Sequence, residues 1–324
     1  MKAEVLKHQI NKLSSEGVPF LFAVDFELSE GILVENPLQQ DKILFRTPQA
    51  SNADRADSLI DRKNVLTSHP ESFVSYQEKF RIVMDGLKRG DSFLTNLTVK
   101  TPIETPLSLK EIFDLSTAPY CLYVPGSFVC FSPERFVHIA MDGTISTNPM
   151  KGTINADMPD AENIILSDKK ETAEHCTIVD LLRNDLGMVA DNIAVARFRY
   201  IDKIVSGQRS ILQVSSEITG KLNENYLSEL GDLIFRMLPA GSVSGAPKAS
   251  TLRIIQNAEK ELRGYYTGIF GYFDGKELDS AVLIRFIEEK NGKKYFRSGG
   301  GITIFSQPEY EYSEVIEKIY LPFL

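Results

Sequence analysis

The segment GYYTGIFGYFDGKELDSAVLIRFIEEKNGKKYFRSGGGITI, residues 264–304, constrains the fold more than any other part of the chain. Apolar and polar residues alternate along it, and the runs are broken at Asp274-Gly275 and Asn291-Gly292, pairs suited to the tight turns of β-hairpins. Consecutive hairpins force antiparallel pairing. Similar alternation marks FLFAVDFEL, SFLTNLTVKT, CLYVPGSFVCFSPERFVHIA, TISTNPM and IAVARFRYID. Helical periodicity appears over 75–88, 160–186, 225–237 and 248–261. An amphipathic stretch opens the sequence at MKAEVLKHQINKL, and a last helix begins at Pro308, a residue tolerated in a first turn. Hairpins with interspersed helices predict an α+β fold and exclude a βαβ nucleotide-binding one.

The net charge of −8 argues against nucleic-acid binding, which needs a basic surface. Local lysine clusters such as EEKNGKKYF are interleaved with acids and read as solvated surface. No apolar run approaches a membrane span, and the first residues lack a signal-peptide pattern. The three cysteines, Cys121, Cys130 and Cys176, have no metal-type or C-x-x-C spacing, which suits a reducing compartment. A cytoplasmic protein is expected. The polar stretch TPQASNADRADS at 47–58 reads as a loop within one domain, not a boundary.

Four glutamates form two spaced pairs. In KKETAEHCTIVDLLRND, Glu171 and Glu174 project from one helical face that continues into Ile178 and Leu181. PEYEYSE repeats the arrangement with Glu311 and Glu314, followed on the same face by Val315 and Lys318. Carboxylates aimed toward a core must be exposed, paired, protonated or bound to a cation, and hard oxygen ligands in small number suit Mg²⁺. The turn in LPAGSVSGAPK lacks the G-x-x-x-x-G-K-[ST] phosphate loop. It is either a tight turn requiring small residues or an anion site at a helix N-terminus. Arg285 lies in an apolar strand, where it needs either an internal acid or a carboxylate ligand. Three successive glycines, Gly299, Gly300 and Gly301, suggest close approach of another group to the backbone. The four histidines show no ligand pattern; His175 reads as a helix neighbour of Glu174, and Cys176 as core. Finally, Lys151 stands in the turn-like NPMKGT, either as a solvated charge or as an amine held for chemistry.

AEHCTIVDLLRNDLG, LPAGSVSGAPK, RGYYTGIFGYF, DSAVLIRF, SGGGIT and PEYEYSE together resemble, in order and spacing, the motifs of the chorismate-utilising enzymes. That family includes anthranilate synthase component I, isochorismate and salicylate synthases, and aminodeoxychorismate synthase component I. The resemblance covers about residues 85–324 and implies a single large domain over 1–324: a shortened N-terminal part at 1–84, then a catalytic core of two packed β-sheets with helices outside. By the same resemblance Glu174 and Glu314 are Mg²⁺ ligands supported by Glu171 and Glu311, and the metal holds the ring carboxylate of chorismate. Tyr266 and Arg285 bind the enolpyruvyl carboxylate. Gly299–Gly301 and the turn carrying Ser242 and Ser244 supply backbone contacts, and Lys318 is a basic group near the metal. Gly152 and Thr153 flank the lysine at the substrate, while Glu134 in SPERF is the general acid for the C4 hydroxyl.

Lys151 divides the family. Anthranilate and isochorismate synthases carry a small residue there, whereas P-[IM]-K-G-T marks the branch that aminates C4, with the lysine attacking C2. The resemblance therefore implies amination of chorismate toward para-aminobenzoate and folate, using ammonia from a separate glutamine amidotransferase subunit. No G-x-C-x-G nucleophile motif occurs in this sequence. The alternative is anthranilate synthase. Departures from the family pattern include Leu94 in place of the isochorismate synthases' base, Gln213 in place of a usual histidine, and KGTINAD without the usual arginines. About a hundred N-terminal residues of a typical large subunit are expected to be absent, a segment that carries the tryptophan site in anthranilate synthases, so tryptophan control is not expected.

Overall fold

The computed structural model describes residues 1–56, 65–206 and 209–323. The last two positions of the polar loop expected at 47–58 lie outside the described residues. Among the described residues the strands form two sheets, one of nine strands and one of eight, and all strand pairings are antiparallel. The fold is α+β, as the hairpin pattern predicts.

The first sheet runs from Met150–Asn155 through Arg209–Lys221, Thr144–Thr147, Arg135–Ile139, Leu278–Val282, Ile269–Phe273 and Phe20–Val24 to Gly31–Glu35, with Asp191–Ser206 on the other flank of Arg209–Lys221. The second runs from Gly245–Ala246 through Leu94–Glu104, Lys293–Ile302, Phe286–Lys290, Phe128–Ser132 and Tyr120–Val124 to Leu44–Arg46, with the short Thr67–Ser68 also paired to Leu94–Glu104. Both predicted turns join hairpins. Asn291 and Gly292 both take positive φ (53° and 72°), which fits a two-residue turn between twisted strands. At the other turn Asp274 accepts the amides of Lys276 and Glu277 through one oxygen.

Strand Phe20–Val24 is buried on both faces, and its alternation divides the core into layers. Phe20, Phe22 and Val24 join the helices Ala3–Ser15 and Leu230–Met237 in one cluster. Leu21 and Ala23 point the other way, to a cluster shared with Phe128, Cys130 and Phe286 of the second sheet. The outer face of that sheet is covered by Leu109–Leu115 and by Phe73–Lys88 with Lys248–Glu259. The layering is therefore helix, sheet, sheet, helix.

The 160–186 periodicity is two helices. The chain turns at Asp168, which ends Ala161–Ser167 and caps Lys169–Gly187 by accepting the Glu171 amide at 2.9 Å. The 225–237 stretch is likewise a 3₁₀ turn, Tyr226–Glu229, followed by Leu230–Met237. One core expectation is corrected. Cys176 is exposed, and its neighbour His175 is the buried residue, 1% accessible. The His175 ring lies 2.7 Å from the Ser216 hydroxyl, and burial followed by the Arg199 charge pulls its pKa down to about 4. The helix is rotated so that position 175, not 176, meets strand Arg209–Lys221.

Candidate active site

Two strands change sheets side by side, and the site is built around them. Phe128–Ser132 leaves the second sheet and enters the first as Arg135–Ile139; Leu278–Val282 makes the reverse passage to Phe286–Lys290. The passages are tied together by Val282 N–H to Glu134 O at 3.1 Å and Phe131 N–H to Arg285 O at 3.0 Å. Arg285 takes a left-handed φ of 53° here, a strained conformation for a non-glycine residue. Its Nε donates to the Tyr320 hydroxyl at 3.1 Å, with the guanidinium over that ring.

A cavity of about 330 Å³ opens beside these passages, lined by Glu134, Lys151, Glu174, Arg285, Glu314 and Lys318 among others. Of the sequence-predicted residues, Gly152, Thr153, Ser242, Tyr266 and Gly299–Gly301 also line it. Glu171 and Glu311 stand behind the wall, and Ser244 is buried with its hydroxyl donating to Ala240 O at 2.8 Å.

Lys151 reaches the cavity because its strand is irregular. Met150 pairs with Ser215 and Thr153 with Gln213, so one residue too many lies between them, and Gly152 takes a φ of 87°. Such a bulge re-aims a side chain out of the regular alternation. The Lys151 ammonium lies 2.7 Å from Glu174 Oε2. Burial works against its charge, but Glu174, then Glu314 and Glu171, outweigh that and raise its pKa. Carboxylates from two helices thus act on one amine.

The glycine run forms another wall. A Cβ at Gly299 would come within 2.7 Å of Leu97 O on the neighbouring strand, and one at Gly300 would face Glu311 Oε2 at 3.6 Å and Glu314 Oε1 at 3.8 Å. Lys318 closes this wall, bonded to Gly299 O at 2.7 Å and to Glu314 at 2.7 Å.

Glu134 sits at the start of its passage and accepts a 2.6 Å hydrogen bond from the Ser242 hydroxyl. Burial raises its pKa, opposed by that bond and by the Arg285 and Lys318 charges. A carboxyl biased toward its protonated form is what a proton donor requires. The anion site anticipated in the LPAGSVSGAPK turn is filled from within: Asp185 Oδ2 accepts the Gly241 amide at 2.9 Å. Arg135 and Asn148, to which sequence reasoning assigned no role, also line the wall, as does Gln213, the residue that stands where a histidine is usual.

The donor set has a definite chemical character. Among the described residues no three acid, histidine or cysteine groups are arranged as a ready-made metal cage. Glu174 and Glu314 nevertheless both line the cavity, each held by a lysine at 2.7 Å. Two hard carboxylates with space for water and a ligand fit Mg²⁺, which keeps several non-protein ligands, better than a metal needing a full protein cage.

A cleft of this size, walled by cations, carboxylates and a run of glycines at a sheet-to-sheet crossover, suits a small, multiply anionic molecule. The chain belongs to the family of chorismate binding enzymes, whose pattern matches residues 29–322. A Haemophilus influenzae protein described as an uncharacterized PabA-like protein is 52% identical over 97% of this chain and 95% of its own length. Aminodeoxychorismate synthase component 1 of Bacillus subtilis is 31% identical over 71% of this chain, which spans 51% of that protein. Anthranilate synthase component 1 1 of Haloarcula marismortui is 34% identical over 75% of this chain and 52% of its own length. The crystal structure of anthranilate synthase component I from Streptococcus pneumoniae superposes with a TM-score of 0.66 at 28% identity, covering 79% of this chain and 59% of that one. Menaquinone-specific isochorismate synthase MenF of Escherichia coli shares the fold, with a TM-score of 0.71 at 16% identity over 98% of this chain and 80% of its own. No helix among the described residues is long and apolar enough to cross a membrane.

Proposed function

We propose that this chain aminates chorismate at C4, giving 4-amino-4-deoxychorismate, with ammonia supplied by a glutamine amidotransferase partner. The observation that carries the reading is Lys151, an amine turned into the cavity by a bulge and placed among three glutamates. A solvated loop lysine would need neither feature.

Glu174 and Glu314, with Glu171 and Glu311 behind them, would hold Mg²⁺, which supplies the positive charge that a ring carboxylate needs against this acidic wall. Arg285 and Tyr266 receive the enolpyruvyl carboxylate, with Gly299–Gly301, Ser242, Gly152, Thr153 and Lys318 around the ring. Lys151 acts in its neutral form, so its contact with Glu174 is given up before reaction. Its nitrogen bonds to C2, the ring double bond shifts, and the C4 oxygen leaves as water with a proton from Glu134. Ammonia then bonds to C4, the double bond returns, and the C2–nitrogen bond breaks to free Lys151. The sum is chorismate plus ammonia giving 4-amino-4-deoxychorismate plus water. A separate lyase would then be needed for para-aminobenzoate.

The second reading, anthranilate synthase, is favoured by the Haloarcula marismortui relative. Incubation of the purified chain with chorismate, Mg²⁺ and an ammonium salt at mildly alkaline pH, beside Lys151→Ala, separates the two. The expected product, identified by mass and NMR, is 4-amino-4-deoxychorismate, lost in Lys151→Ala. Anthranilate would establish the second reading. Chorismate left unchanged even with the amidotransferase present would reject both.

A further inference from the structure

The Gly-Ser turn 240–245 is held in place by groups the reaction scheme does not use. Asp185, near the end of the helix Lys169–Gly187, is 5% accessible. One of its oxygens accepts the Gly241 amide at 2.9 Å and the other lies 2.8 Å from the Lys248 ammonium. Lys248 in turn donates to Met237 O, ahead of the turn. The fit at Gly241 is close, since a Cβ there would come within 2.7 Å of Asp185 Oδ2 and 2.8 Å of a Leu181 methyl. Two residues further on, buried Arg263 donates to Val243 O at 2.8 Å and to Asn96 O at 2.7 Å. Ser242 is thus pinned on both sides, and its hydroxyl points at Glu134 Oε1, 2.6 Å away.

We infer that Asp185 is a positioning residue for the proton donor: by holding the Gly241 amide it fixes the Ser242 hydroxyl on Glu134, and so sets how readily Glu134 gives up its proton. This rests on the reading of Glu134 as the general acid. Ser242 donates to a carboxylate oxygen, so its bond favours the ionised form. That effect opposes burial, which favours the neutral acid. The other charges facing Glu134 are Arg285, from the adjacent passage, and Lys318, from the end of the C-terminal helix; both also favour the carboxylate. Loss of the Ser242 contact therefore moves the Glu134 pKa further up.

The test is the pH dependence of kcat/KM for amination by ammonium salts. A general acid produces an alkaline limb, because activity falls once it loses its proton. Ser242→Ala should shift that limb upward by about one pH unit, the scale of a hydrogen bond to a charged group. Asp185→Ala and Gly241→Ala, which break one contact from its two sides, should shift it in the same direction. Asp185→Asn keeps an acceptor for the Gly241 amide and should retain the wild-type limb. The double variant Asp185→Ala/Ser242→Ala should shift no further than Ser242→Ala alone. If Asp185→Ala folds poorly, Gly241→Ala carries the comparison, and carboxyl ¹³C NMR of labelled glutamate reads the Glu134 ionisation without turnover. A wild-type limb in both Asp185→Ala and Gly241→Ala, with only kcat or stability reduced, would overturn the inference. If Glu134→Gln retains the limb, the acid assignment itself fails, which is a different result from failure of the positioning role.

Discussion

Lys151 and Lys318 stand on different walls of one cavity, each 2.7 Å from a glutamate, yet their environments shift them in opposite directions. For both, burial is the largest influence and disfavours the charge. Around Lys151 three glutamates reverse that, and its pKa is raised. Around Lys318 there is Glu314 on one side but Arg285 and Lys151 on the other, and its pKa is lowered. An ion pair of fixed length says little by itself, because the neighbours decide which protonation state it stabilises. Both lysines stand beside glutamates, but Lys151 faces three of them whereas Lys318 shares Glu314 with the Arg285 and Lys151 charges, and an anionic substrate would lie between the two.

The comparison breaks most sharply at Lys151. If it is the nucleophile, Lys151→Ala should lower amination by at least about 10³-fold, as loss of a covalent catalyst does, with the fold intact by circular dichroism. Lys151→Arg should be equally inactive, since a guanidinium keeps its proton. Lys318→Met should act differently, raising KM for chorismate on the order of tenfold while kcat changes less, the pattern of lost binding. Equal loss of kcat in both variants would mean that the two lysines share one role. Removal of divalent metal with a chelator should abolish turnover, and added Mg²⁺ should restore it.

A third ion pair sharpens the contrast from the side of stability. Arg263 and Glu259 are 1% and 3% exposed and 2.6 Å apart, and the same guanidinium ties Asn96 O to Val243 O. Glu259→Gln leaves a buried charge without its partner and should cost about 3–5 kcal/mol in urea unfolding. Glu174→Gln removes the acid of a pair 31% and 24% exposed, and should cost about 1 kcal/mol or less. The first pair is buried within the fold, whereas the second, on the proposed function, would be given up before reaction.

These differences were unevenly legible in the sequence. The hairpins at Asn291-Gly292 and Asp274-Gly275, the helix opening at Pro308 and the inward-facing Val315 follow from turn chemistry and periodicity alone. The glutamate spacing within each helix was equally readable. What local pattern does not contain is long-range position. The convergence of Glu174, Glu314 and Lys151 depends on two helices and one bulged strand that are distant in sequence. The bulge itself leaves only Gly152 as a trace. Cys176 was misplaced because an apolar stripe fixes a helix's face only to within about one position, and a buried histidine with a hydroxyl partner is hard to tell from an exposed one. The turn at 240–245 left two readings open, tight turn or anion site; Asp185, more than fifty residues away, satisfies the amide that would have made it an anion site.

The smallest effects test whether the two walls differ in backbone as well as in charge. Gly152, beside Lys151, takes a φ of 87°, and a Cβ there would lie 3.1 Å from Glu171 Oε2, the movable end of a side chain. The cost of Gly152→Ala is therefore mainly conformational, about 1–2 kcal/mol, and relaxing the bulge should turn Lys151 away and lower kcat. Gly300, beside Lys318, has no positive φ, and a Cβ there would meet Glu311, Glu314 and Lys318 only at ordinary contact distances of 3.6–3.8 Å. Gly300→Ala should leave stability within about 0.5 kcal/mol of wild type. Its methyl would still occupy space against the ring, so KM for chorismate should rise while kcat is largely kept. Thermal unfolding and steady-state kinetics on the two variants measure both effects. The opposite pattern, a stability loss at Gly300 and a KM effect at Gly152, would mean that the bulge does not aim Lys151 and that the glycine wall is the strained one.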